Sequence, residues 1–155
     1  MGLIGLTIWF LLLSCGCSAN GRTVILRPSE SDARYSSVLV KEDGSDPLVP
    51  PGVSRDFRAA LSKHLYDRGA FVHGPQLRIV YRITGFPAAP GESSAEGKED
   101  PGPGAVTVEV RFYNFVEKEI ASIRAEGDAR DAGRIDGAVR ECARQVALYA
   151  KQNFR

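Results

Sequence analysis

Two segments of this chain alternate apolar and polar residues with a period of two. Residues 76–84 (QLRIVYRIT) put Leu77, Ile79, Tyr81 and Ile83 on one side and Arg78 and Arg82 on the other. Residues 105–114 repeat the pattern, with Val106, Val108, Val110 and Phe112 facing one way and Thr107, Glu109, Arg111 and Tyr113 the other. In a helix this spacing would scatter apolar groups around the whole circumference, whereas in a strand it gives one dry face and one wet face. A third segment, 119–126, places Ala121, Ile123 and Ala125 on one side, with small side chains where a helix has to approach closely. The chain must therefore build a sheet that is covered on one face only.

The cover comes from two segments of helical period. Val53, Phe57, Ala60, Leu61, His64 and Leu65 form one stripe, with Ser54 as a cap or first-turn residue and Gly69 as a stop. Residues 134–154 form a longer helix striped by Ile135, Val139, Cys142, Val146, Tyr149 and Ala150. Residues 23–26 (TVIL) read as a buried strand stopped by Pro28, and 35–40 as a second short strand. Residues 43–52, with Pro47, Pro50 and Pro51, are a turn-rich lead-in, and 70–72 form a short apolar stretch closed by Gly74 and Pro75. The 86–104 segment (FPAAPGESSAEGKEDPGPG) is too rich in Pro, Gly, Ser and acid to bury a core, and is expected to be a mobile loop. The expected fold class is α+β, a two-layer sandwich. Its sheet is mixed and mainly antiparallel, of four to five strands, with two helices on one face. At 155 residues there is room for one core, assigned to residues 23–155.

The first charged side chain is Arg22, and Leu3 to Leu13 (LIGLTIWFLLL) forms an eleven-residue apolar run. That is the length of a secretory h-region, and about half of what a spanning helix needs. Leu12-Leu13-Ser14-Cys15 follows, and resembles the lipobox of bacterial lipoproteins. The resemblance implies a signal peptide at 1–14, a lipidated tether at 15–22 and palmitate-bearing lipid on Cys15. Cys17, with Gly16 before it, is the competing site. Several acyl chains anchor durably where one would be reversible. Gly16 at the second mature position implies sorting to the periplasmic face of the outer membrane.

Chemical constellations are scarce. His64 and His73 are nine residues apart and lack any HExxH or CxxC companion, so no metal site and no cofactor are expected. No GxSxG elbow and no phosphate-binding glycine motif can be written through the chain, including around Gly127, Gly133 and Gly137. Glu126, Asp128, Asp131 and Asp136 cluster in sequence but alternate with Arg130, Arg134, Arg140 and Arg144, as an ion-paired helix start does. Cys142 lies on a helical stripe and reads as a small buried hydrophobe. Twenty basic against nineteen acidic residues leave a net charge of +1 and no basic stripe for nucleic acid.

Lipobox, helix ending in Gly69, LRIVYRITGF, VTVEVRFYNF, EIASIRAEG and a long last helix together resemble an uncharacterised family of Gram-negative lipoproteins carrying a domain of unknown function. The family is similar in layout to the amino-terminal domain of the Tol-system beta-propeller protein and to lipoprotein activators of penicillin-binding proteins. The resemblance implies a binding module without catalytic residues. The expected function is a non-enzymatic, lipid-anchored periplasmic lipoprotein that binds an envelope protein as an accessory or assembly factor. The alternative is a small-molecule or glycan binder with the 86–104 loop as its lid.

Overall fold

The alternating segments pair as their patterning requires. A computed structural model describes residues 21–87, 105–128 and 135–155. The elements are β1 (Gly21–Arg27), β2 (Ser37–Glu42), α1 (Pro51–Tyr66), β3 (Val72–His73), β4 (Leu77–Gly85), β5 (Ala105–Asn114), β6 (Glu119–Asp128) and α2 (Ile135–Phe154). They form one α+β unit, a mixed sheet of order β1-β6-β5-β4-β2-β3 with both helices on one face. The pairs β1–β6, β6–β5 and β5–β4 are antiparallel, while β2 runs parallel to β4 and to β3. The sheet has six strands where four to five were expected, because 70–73 contributes a two-residue strand of its own. The signal peptide, Cys15, Cys17, residues 88–104 and Asp131 lie outside the described residues.

The dry face is dry along its length: Leu77, Ile79, Tyr81, Ile83, Val106, Val108, Val110, Phe112, Ala121, Ile123 and Ala125 are all buried. Burial of a side chain of this size stabilises by about 1.5–3 kcal/mol. Each helix docks an aromatic onto the sheet. Phe57 of α1 stacks on Tyr81, with centroids 4.7 Å apart, and Phe154 of α2 lies 5.1 Å from Phe112, which also meets Tyr149 at 5.3 Å. The small residues on β6 let α2 come close, and Gly127 extends the series. A Cβ there would lie 2.4 Å from the Ala138 carbonyl oxygen.

α1 begins at Pro51, in the first helical position where the missing N–H costs nothing. Ser54 therefore does not cap. It points inward, and its hydroxyl lies 3.0 Å from that of Tyr81, so two buried polar groups satisfy each other. Gly69 closes a single 3-10 turn after α1, with the left-handed φ of +66° that only glycine adopts freely.

Two expectations fail. Residues 23–26 are not buried: β1 is an edge strand, and Ile25 and Leu26 are 57% and 48% exposed. An apolar run is buried only where layers cover it, and β1 lies at the margin of the helix layer, held there by the Thr23 hydroxyl donating to Gln145 at 2.9 Å. β1 also takes in Gly21 and Arg22 from the expected tether. Thr107, expected to face water, is buried, and its hydroxyl has no partner among the described residues.

Candidate functional site

The open face of the sheet carries Arg78, Arg82, Glu109, Arg111, Tyr113 and Arg124. Glu109 accepts both Arg82 and Arg124 at 3.5 Å, across the two neighbouring strands that the register places beside it. Arg78 pairs with Glu117 and lies over the Tyr113 ring at 5.0 Å. These half-exposed pairs contribute little to stability individually, and Arg82 and Arg124 share the single Glu109. A depression on it, lined by Asp43, Val80, Tyr81, Arg82, Glu109 and Arg111, measures about 10 Å³, room for about one water.

The residues singled out in sequence do not converge. His64 is half-buried on α1, and burial, with Lys151 and Arg144 nearby, holds its pKa below the usual imidazole value. His73 lies on β3 against the Tyr66 ring at 6.1 Å. Cys142 is fully buried, its thiol directed at the Val106 and Ala125 carbonyls at 3.5 and 3.7 Å. Burial pushes this thiol up to about 12, so it stays protonated and unreactive. Glu126 lies on β6 and Asp136 on α2, and no cluster of His, Cys, Asp or Glu able to hold a metal occurs among the described residues.

Besides the single residues Leu48 and Val72, the exposed large apolar side chains among the described residues occur at two places. The first is the β1 edge, where Ile25 and Leu26 are exposed and the Thr23–Gln145 bond sets β1 against α2, whose Leu148, one turn beyond Gln145, is exposed too. The second is the β5–β6 hairpin. Asn114 Oδ1 accepts the N–H groups of Val116 and Lys118 at 3.1 and 3.0 Å, closing the turn with Glu117 at a φ of 64°. Phe115 and Val116 are left projecting, 73% and 61% exposed. Both features left traces in the sequence: Pro28 after TVIL is the mark of an edge strand, and FV within a turn has no core to enter.

No protein-family model and no curated protein matches this sequence. Solved structures share its fold, and two of them are of one protein. Both are dodecamers of PelC from Paraburkholderia phytofirmans, one of them a point variant, in different crystal forms. Each is 14% identical to this chain and covers 88% of it and 99% of its own length, with TM-scores of 0.54 and 0.53. At that identity the likeness extends to the fold.

Proposed function

We propose that the chain is a non-enzymatic lipoprotein, held by lipid on Cys15 at the periplasmic face of the outer membrane. Its domain works by binding protein, as an accessory or assembly factor of the cell envelope. The observation that carries this reading is the pair of exposed apolar features, the β1 edge and the Phe115–Val116 tip, on a domain whose sheet is otherwise filled or ion-paired. Exposed apolar groups gathered at one place are the mark of a contact surface. That two structural neighbours, the PelC structures, are assemblies of twelve chains lends further support.

The tether gives the two features different situations. Gly21 is six residues from Cys15, a reach of about 20 Å at most, and pairs with Gly127. The Phe115–Val116 tip lies at the opposite end of β5 and β6 from Gly127. Under this reading the tip points away from the bilayer, towards whatever the periplasm brings. Among the described residues, a depression the size of one water gives the ligand-binding alternative no comparable support.

In-cell crosslinking of the tagged full chain, followed by mass spectrometry, tests the reading. A reproducible envelope protein attached to the wild type and lost from Phe115→Ser is expected; capture that ignores the tip and the β1 edge alike would contradict it. Anchoring is tested separately. Labelled palmitate is expected in the wild type and absent from Cys15→Ala, and incorporation lost only in Cys17→Ala would place the lipid two residues on.

A further inference from the structure

The two margins of the sheet differ in what they offer. Glu30 N–H donates to the Ile120 carbonyl, so the even-numbered residues of β6 turn their backbone groups towards β1. Through the register Arg22↔Glu126 and Val24↔Arg124, the even residues of β1 bond β6, and Gly21, Thr23 and Ile25 turn theirs outward. At the far side, Asp43 N–H donates to Tyr81, and the Val38 carbonyl accepts Gly74 N–H from β3. Even residues of β2 therefore face away from β4. Beyond Val38, whose carbonyl also accepts the Tyr66 hydroxyl, no strand pairs with that outer side among the described residues; Glu42 is exposed there, while Val40 is only 4% exposed, so a strand that pairs with it has to displace the side chains over it.

Directions complete the match. With β1 running up, the alternation through β6 and β5 makes β4 run down, and β2 runs parallel to β4. Two copies in the same orientation thus bring β1 of one antiparallel to β2 of the next. The helix-side residues of β1 are Thr23 and Ile25, partnered with Ala125 and Ile123; those of β2 are Val38, Val40 and Glu42, partnered with Leu77, Ile79 and Tyr81. A continuous two-layer structure requires like sides to meet. With β3 on Ser37 and Val38, the in-phase register that pairs Thr23 with Val40 sets Arg22 opposite Lys41, two like charges, so the favoured register sets Ile25 opposite Val40, Val24 opposite Lys41 and Thr23 opposite Glu42. It also brings Arg22 opposite Asp43, a favourable pair of charges.

We propose that the β1 edge of one copy of this chain joins the β2 edge of a second copy in this antiparallel register, head to tail. The inference deepens the reading that the domain works by protein contact, and does not depend on which cysteine carries lipid. A lipid surface cannot be the occupant, because hydrocarbon leaves the outward backbone groups of Gly21, Thr23 and Ile25 unsatisfied; a strand satisfies them. Head-to-tail contact uses two different surfaces, so it repeats and closes into a ring or continues as a filament. The bulge at Leu26 and Pro28 behind it limit the pairing to residues 21–25, which keeps the contact short and specific.

The test is disulfide trapping in the detergent-extracted full chain carrying Cys17→Ser. In the proposed register Val24 and Lys41 form a non-hydrogen-bonded pair with Cα atoms about 4.5 Å apart, within disulfide reach. The Val24→Cys, Lys41→Cys double variant is expected to give a ladder of covalent oligomers, the two single variants mixed together only dimers, and the background chain neither. Arg22→Asp should lower the yield about two- to fivefold, as an exposed ion pair does, and adding Asp43→Arg should restore it. Dimers from Val24→Cys alone would overturn the proposal in favour of a two-fold β1–β1 contact. A folded double variant that gives no ladder would overturn it outright. A ladder without any other envelope protein in the in-cell experiment would keep this contact and refute the accessory role.

Discussion

β6 and β1 are neighbouring strands with opposite circumstances. β6 is paired on both sides and roofed by α2, which Gly127 and the alanines admit to backbone contact. Its Ile123 is fully buried, while Ile25, directly opposite on β1, is more than half exposed. The same side chain on the same sheet face is core in one strand and surface in the next, and the position of α2 decides which. An apolar residue thus reports a need for cover, and at β1 this chain does not meet the need by itself.

The sharpest way to break the comparison lies in the covered half. Phe112→Ala removes the ring that Tyr149 and Phe154 share and is expected to destabilise by about 3–5 kcal/mol in denaturant unfolding. A loss below about 1 kcal/mol would mean that α2 is not seated there. Gly127→Ala drives a methyl group into the Ala138 carbonyl, and a loss of about 1–3 kcal/mol is expected by the same assay. Ile25→Ser, on the uncovered side, should shift unfolding by no more than about 0.5 kcal/mol while abolishing self-association in light scattering. An unfolding loss as large as that of Phe112→Ala would place Ile25 in the core.

These contrasts bear on what could be read from the sequence. The period of two in 76–84 and 105–114 located β4 and β5 because each strand is polar on one side, so the pattern itself encodes the half-cover. The helical stripes located α1 and α2 for the same reason, and the small residues of 119–125 announced the close approach of α2. TVIL carries no such asymmetry. A run that is apolar on both sides fits a central strand or an edge awaiting a partner, and only the strand order separates them. Open backbone groups on β1 and β2 were illegible altogether, since they follow from register and are identical for every side chain. The candidate site was missed because its chemistry is that of backbone and apolar surface, whereas motifs report catalytic and metal-binding side chains.

The smallest expected effect concerns α1. Burial and the cations around His64 lower its folded-state pKa below the ordinary imidazole value, so the unfolded chain binds the proton more readily. Its contribution to stability is present above about pH 6.5 and is lost as pH falls from there through the folded-state value. Melting temperatures taken at pH 7.5 and pH 5 should fall less in His64→Gln than in the wild type; an identical fall would remove His64 from the account.

The central claim is that β1 is an edge completed by a second copy. Amide hydrogen exchange of the full chain reads it at the backbone itself. Thr23 and Ile25 turn their N–H groups away from β6, whereas Val24 donates towards it. At concentrations where the wild type associates, the account predicts that Thr23 and Ile25 are protected as Val24 is, and that Asp43→Arg accelerates these two amides while leaving Val24 and the β6 amides unchanged. Exchange at Thr23 and Ile25 that stays fast in the wild type, or is indifferent to Asp43→Arg, would contradict it.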